Sequence, residues 1–382
     1  MSLRIEVIES LAEVSADAWD ALVGEDDPFV EHAFLRALET SESVGVEAGW
    51  QPLHVTVWRE ETLIGALPLY AKGHSWGEFI FDFAWARAAQ QAGIDYYPKL
   101  VSMAPFTPAT GTRLLMRPGE DAREITAALI AGARHLAEEV DASSLHLLFL
   151  TPEERAHAVA AGLRPRLSYQ FHWRNEGYAT FDDFLAKFRS DKRKQVRKER
   201  RCVTESGLRI EVKEGPALSD ADWSALARFY REGVRRYGSY PYLTPAFFDA
   251  LRATHARRVV VFLAYEGSAP VASSLCFEKG AHLYGRYWGT RQGLSDQEFL
   301  HFELCYYRPI ERAITRGLRR FEAGAQGTHK MKRGMLPNEV HSAHWIREPR
   351  LAAAVDEHLP LEAGQVKAEM ALLSERSPFH RG

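Results

Sequence analysis

Between Lys187 and Arg201 the chain carries nine basic residues and two acidic ones, a local charge of about +7 in a protein whose net charge is −3. Lys192, Arg193, Arg197, Lys198 and Arg201 recur at three- and four-residue spacings, so on a helix several project together. Such a cluster repels itself unless counter-charge arrives. Phosphate is the natural partner, because Arg forks and Lys ammoniums satisfy its oxygens. A solvated face paired with acidic surface is the other reading. Single-stranded RNA ends fit this patch better than double-stranded DNA, since Phe171, Trp173 and Tyr178 lie nearby to stack on bases.

A second group sits at 325–334, Ala-Gln-Gly-Thr-His-Lys-Met-Lys-Arg-Gly, directly after the strand candidate Arg319–Ala323. Loops leaving strand ends are where α/β proteins place chemistry. His329 and Lys330 are catalytic candidates, and Lys330, Lys332 and Arg333 can hold a phosphate or an oxyanion. The spacing is not that of a Walker loop. Upstream, Glu303 and Tyr307 are four apart and share a helical face, where the glutamate could accept a proton from an attacking amine or pair with an arginine such as Arg286 or Arg308. Tyr284, Tyr287 and Trp288 are expected as cleft walls.

In the first half, Tyr96-Tyr97-Pro98-Lys99 and the run 104–111 around Thr107 are aromatic and proline-punctuated, suited to lining a rigid pocket at a domain interface or to packing as structure. The histidines show no short-range ligand spacing, so no metal is expected. Ser75 and Ser102 lack a nucleophile-elbow context. Cys202, Cys276 and Cys305 lie far apart and form neither a disulfide framework nor a thiolate site.

The elements that must position these groups read as α/β, repeated. Strand candidates Leu53–Trp58 and Leu63–Tyr70, a helix at Asp121–Glu139 and the strand Leu145–Leu150 fill the first half. Helices at Ser219–Arg235 and after Thr244, strands Val259–Tyr265, Val271–Phe277 and Leu283–Tyr287, and a long helix Asp296–Arg316 closed by Gly317 fill the second. A length of 382 residues suits two domains, divided as 1–170 and 171–382. The antiparallel turn-linked strands exclude a doubly wound parallel sheet. With 46% hydrophobic residues the chain is neither disordered nor fibrous. No apolar run approaches membrane-spanning length, and a cytoplasmic address is expected.

Against this background the sequence resembles the FemAB-like group of peptidoglycan biosynthesis/recognition proteins in the GNAT-like N-acyltransferase superfamily. The residues that carry the likeness are 75–79 with Phe81-Asp82, 96–100, Thr107-Pro108, and the run from His301 through Glu303, Tyr306-Tyr307 and the 324–334 loop to Ser342-Ala343-His344-Trp345. The segment Lys192–Lys198 is similar to a basic element of Fem ligases. The resemblance implies two tandem GNAT-like domains and transfer of an activated acyl or aminoacyl group to an amine acceptor, either a small molecule or a peptide. The donor it implies is aminoacyl-tRNA, engaged at its 3′ end, or acyl-CoA, with no tightly bound cofactor. On that reading Glu303, Lys330, His329 and Tyr307 are catalytic, and Lys192, Arg193, Arg197, Lys198, Lys332 and Arg333 hold the donor. Tyr96, Tyr97, Lys99, Thr107, Tyr287 and Trp288 bind substrate. Two patterns depart from relatives: no coiled-coil pair is inserted, and neither 90–95 nor 286–291 completes an acetyltransferase pyrophosphate loop. A catalytically silent protein that binds a peptide or cell-wall precursor in an interdomain groove is the alternative.

Overall fold

The computed structural model describes residues 3–236, 238, 240–294, 297–324 and 327–380. Expected features at Asp296, Ala325 and Gln326 therefore lie outside the described residues. The chain divides into two compact units, Met1–Tyr169 with Glu339–Glu369, and Gln170–Asn338 with Met370–Gly382. The first boundary falls between Tyr169 and Gln170. Residues 339–369, expected with the second domain, belong instead to the first. The reason is pairing and packing: His341–Ile346 runs antiparallel to Ser144–Leu150, and Leu351, Val355 and Leu359 bury against Trp85 and Tyr96.

Within the first unit, the strands Arg4–Ile8, His54–Arg59, Thr62–Leu67 and Leu115–Met116 form an antiparallel sheet. A further set comprises Trp50–Pro52, Tyr70–Lys72, Lys99–Ser102 and Ser144–Leu150, with Lys99–Ser102 parallel to Ser144–Leu150. The helix Ala122–Glu139 makes the crossover, started by Asp121, whose side chain accepts from the backbone of Arg123 and Glu124. Its apolar face, including Ile125 and Leu129, joins Leu100, Leu145 and Leu147 in the core. The helix Pro152–Ala160 begins with a Thr151/Glu154 capping box and a proline in its first turn.

The second unit repeats this plan. Strands Arg209–Glu214, Val259–Glu266, Ala269–Lys279 and His282–Thr290 form an antiparallel meander. Arg320–Glu322 lies parallel to His282–Tyr284, reached through the helix Arg308–Thr315. That helix stops where Gly317 takes a left-handed φ of 64° and Leu318 donates to the carbonyl of Ala313 at 2.8 Å. The helix Asp220–Arg236 starts as its sequence indicates, with Ser219 and Asp222 exchanging side-chain-to-backbone bonds of 3.0 and 3.2 Å.

Candidate active site

The segment expected as one long helix is broken in a useful place. A short turn, Leu300–Phe302, leads into a π-helical turn, Glu303–Tyr307, and then the helix Arg308–Thr315. Pro309 has no N–H to give the carbonyl of Cys305, so the turn before it widens. Tyr306, Tyr307 and Glu303 all leave this turn buried. After Arg320–Glu322 the chain makes a 3-10 turn, Thr328–Arg333, bracketed by Gly327 and Gly334 at φ 110° and 82°, values side-chain-bearing residues avoid.

These pieces are fastened to the basic helix, Ser190–Thr204. Arg333 Nη2 donates to both carboxylate oxygens of Glu199 at 3.1 and 3.0 Å, and Tyr307 donates its hydroxyl to Glu199. The Arg333 guanidinium lies 3.3 Å from the Phe302 ring centre, and its Nη1 donates to the carbonyl of His329 at 2.9 Å. Glu303 is claimed by two arginines, Arg200 Nη2 at 3.1 Å and Arg308 Nε at 2.9 Å. Arg200 also reaches Glu311 at 3.0 Å.

What this framework presents is a cation beside a hydrogen-bonded tyrosine–histidine pair. Lys330 is 3% exposed, and its Nζ donates to the carbonyl of Gly324 at 2.8 Å. Burial, with help from the charge of Arg286, pulls its pKa down to about 8. The Tyr306 hydroxyl lies 2.8 Å from Nε2 of His329. Burial and the charges of Arg333 and Lys330 lower the His329 pKa, which keeps the ring neutral at physiological pH. His301 packs 5.3 Å from Tyr306 and 5.2 Å from Trp288, and burial above all drives its pKa to about 3.

The strand His282–Thr290 runs beside this group. His282–Tyr284 pairs with Arg320–Glu322, but the same strand continues through Gly285–Thr290 with no partner strand on that edge among the described residues. Arg286, Tyr287 and Trp288 sit on this stretch, half-buried.

Several expected roles change in the structure. Glu303 cannot serve as a base while two guanidinium groups occupy its oxygens; it positions the π-turn. Tyr307 and Arg333 are spent on Glu199, so Arg333 holds the turn rather than a phosphate. Tyr287 packs its ring 4.8 Å from Tyr230 as a wall. On the basic helix Lys192 pairs with Asp191 at 3.1 Å and Arg197 with Asp182 at 3.1 Å, both near solvent. Arg193 is half-buried, while Lys194, Lys198, Arg201 and Lys332 are exposed. Glu199, Arg200 and Tyr306 were missed as functional positions. Only the interruption of the basic run by one glutamate, and Pro309 within a helical pattern, hinted at them.

The first unit holds a different construction. Register puts Lys72 opposite both Trp50 and Lys99, and His146 opposite both Val101 and His344. One face of the sheet is thus polar while Leu100, Leu145, Leu147 and Ala343 pack in the core. Lys99 Nζ donates to Ser75 at 2.8 Å, Glu78 at 2.9 Å and Asp82 at 2.5 Å, using all three hydrogens. Tyr96 donates to Asp82 at 2.6 Å, and the Tyr97 hydroxyl lies 2.8 Å from that of Ser75. Lys72 lies 3.3 Å from the Trp50 ring centre and 3.6 Å from Glu78. Burial raises Glu78 to about 7 and lowers Lys72 to about 7. Lys99 is therefore an anchor rather than a substrate ligand. Thr107 is 2% exposed and donates to the carbonyl of Pro105 at 3.0 Å, so it is core and not pocket wall. Among the described residues no cluster of His, Cys, Asp or Glu could hold a metal.

A sequence profile of the FemAB-like family, described as peptidoglycan biosynthesis/recognition, matches residues 10–381. The chain belongs to the FemAB-like family. Comparison with curated protein sequences finds no match. Among solved structures the chain is similar to FemX, at 12% identity and a TM-score of 0.54, covering 92% of this chain and 99% of that one. It is similar to the C-terminal domain of a proposed lysylphosphatidylglycerol synthetase from Agrobacterium fabrum, at 12% identity and 0.55, covering 91% and 96%. It is also similar to L-PGS from Bacillus licheniformis, at 10% identity and 0.52, covering 91% and 97%. The expected α/β fold of two tandem GNAT-like domains is what these likenesses bear out. Family membership supports transferase chemistry in a general sense. No described helix of this FemAB-like protein is long and apolar enough to cross a membrane.

Proposed function

We propose that the second unit moves an activated acyl or aminoacyl group from aminoacyl-tRNA or acyl-CoA onto an amine, forming an amide. The observation that carries this reading is the buried Lys330 ammonium beside the neutral His329–Tyr306 pair, within reach of the Arg286 charge. The acceptor nitrogen attacks the donor carbonyl carbon and the C–N bond forms. Lys330, with two N–H groups beyond the one given to Gly324, donates to the oxyanion. His329 takes the amine proton, directly or through the Tyr306 hydroxyl. The C–O bond of the tRNA ester or the C–S bond of the thioester then breaks, and the leaving oxygen or sulfur takes that proton back from His329.

Either donor carries phosphates, and the exposed Lys194, Arg197, Lys198 and Arg201 offer them charge. The likeness to a protein named for lysylphosphatidylglycerol synthesis, together with FemAB-like membership, supports an aminoacyl donor over simple acetyl-CoA. The acceptor on this reading is an amine-bearing small molecule or a peptide of the cell-wall precursor type, met in the cytoplasm. One observation favours the non-catalytic recognition reading: the carboxylate expected as base, Glu303, is tied to Arg200 and Arg308. Mass spectrometry of RNA and small molecules that co-purify with the protein tests the proposal. Recovery of tRNA or CoA supports it. Recovery of neither, with no amide formed when both donors are supplied, removes it.

A further inference from the structure

The first unit contains a cavity of about 870 Å3 lined by Phe83, Arg87, Gln90, Ile94, Asp95 and the two tyrosines 96 and 97, a size suited to a small molecule. Its floor is aromatic and held from behind. The Tyr96 hydroxyl is fixed on Asp82 and that of Tyr97 on Ser75, and both acceptors are themselves held by Lys99. Phe83 is fixed by stacking on Phe81, ring centres 5.2 Å apart. Burying two lysines and two carboxylates is an expensive way to gain stability alone, since an apolar core would serve as well. What such a network supplies is fixed geometry, and the geometry fixed here is that of the cavity floor.

The rim contrasts with the floor. The side chains of Arg87, Gln90 and Asp95 line the cavity yet make no hydrogen bond or ion pair with any described residue, and Arg87 and Asp95 carry opposite charges. One guanidinium, one carboxylate and an amide around an aromatic floor match a ligand with a carboxylate, an ammonium and an apolar body. We infer that the cavity beside Tyr96 and Tyr97 binds a small zwitterion, an amino acid or short peptide with an apolar side chain. Arg87 takes its carboxylate, Asp95 its ammonium, and Phe83 with the tyrosines its side chain. This site lies within the first unit and stands whether or not the second unit transfers acyl groups.

Calorimetric titration of the full chain with L-phenylalanine, L-phenylalaninamide and N-acetyl-L-phenylalanine tests the inference. A ligand of this size is expected to bind at about millimolar concentration. The zwitterion should bind about tenfold tighter than either analogue, since each lacks one charge-assisted contact. Arg87→Ala should erase the preference for phenylalanine over the amide, and Asp95→Asn the preference over the N-acetyl form. Both residues are exposed, and unchanged thermal unfolding should confirm that each variant folds. Tyr97→Phe, which cuts the floor from Ser75, should weaken all three probes together. Absence of saturable binding by any probe overturns the inference. So does binding that both rim substitutions leave unchanged, or that each weakens equally for all probes.

Discussion

Arg333 and Glu199 meet in the interior of the second unit, each no more than 4% exposed, with one guanidinium nitrogen within 3.1 Å of both carboxylate oxygens. The pair joins the turn that carries His329 and Lys330 to the helix that carries the basic face. Site geometry and helix position are therefore one structural matter.

Arg333→Ala leaves the Glu199 carboxylate buried without its counter-charge, held by the Tyr307 hydroxyl and the Gln195 amide alone. The expected cost is about 3–5 kcal/mol, read as a lower urea midpoint. The double variant Glu199→Gln with Arg333→Met should lose less than Arg333→Ala alone, because no bare charge remains. A single-variant loss under about 1 kcal/mol would show that the pair is dispensable.

The basic helix was legible in sequence as charge, but not as mechanics. Spacing gave its exposed side, whereas Glu199 and Arg200 look like more surface charge until their partners 303, 307 and 333 arrive from over a hundred residues away. The strands at 259–266 and 269–279 and the helix at 122–139 follow directly from periodicity and caps. The strands at 164–174 and 336–346 and the helix at 349–375 were not found. That helix carries an internal Pro360 and little amphipathic contrast. Thr107 misled for a related reason: prolines and aromatics mark a rigid loop, and only tertiary packing decides whether it faces a cavity or the core.

Replacing Lys194, Arg197 and Lys198 together by Gln should change unfolding free energy by less than about 0.5 kcal/mol per site, since all three are exposed. Affinity for single-stranded RNA should fall, and the slope of log affinity against log salt should shrink by about 2. Unchanged affinity and slope in a fluorescence titration would assign the helix a structural role.

Transfer rate should depend on pH through two groups. His329 must be neutral to accept a proton, and its pKa lies below the usual 6.5, so the rate should rise with pH on the acid side of that value. Lys330 stabilises the oxyanion only while charged, so the rate should fall as pH passes about 8. His329→Ala should abolish the acid limb. Glu303→Gln should leave both limbs in place, since Glu303 is paired with Arg200 and Arg308 and positions the π-turn. A profile that keeps its acid limb without His329 would reassign the base.

Stability in the first unit should also carry a pH signature. Glu78 has a folded pKa of about 7, above the ordinary 4.5, so the folded state binds its proton more tightly. This contribution is fully present below about 4.5 and is lost as pH rises toward 7. Glu78→Gln should flatten that loss, about 1–3 kcal/mol between those limits, in thermal unfolding followed across the window. Parallel curves for parent and variant would place the titrating group elsewhere.

The most direct measurement is amide formation by the parent chain and by Lys330→Met, with labelled aminoacyl-tRNA or acyl-CoA and an amine acceptor, read by mass spectrometry. Loss of an oxyanion donor typically lowers turnover about 100- to 1000-fold, and that loss is expected at unchanged donor binding. Turnover of the variant within about twofold of the parent would contradict the assignment of Lys330, and with it the placement of acyl transfer in the second unit.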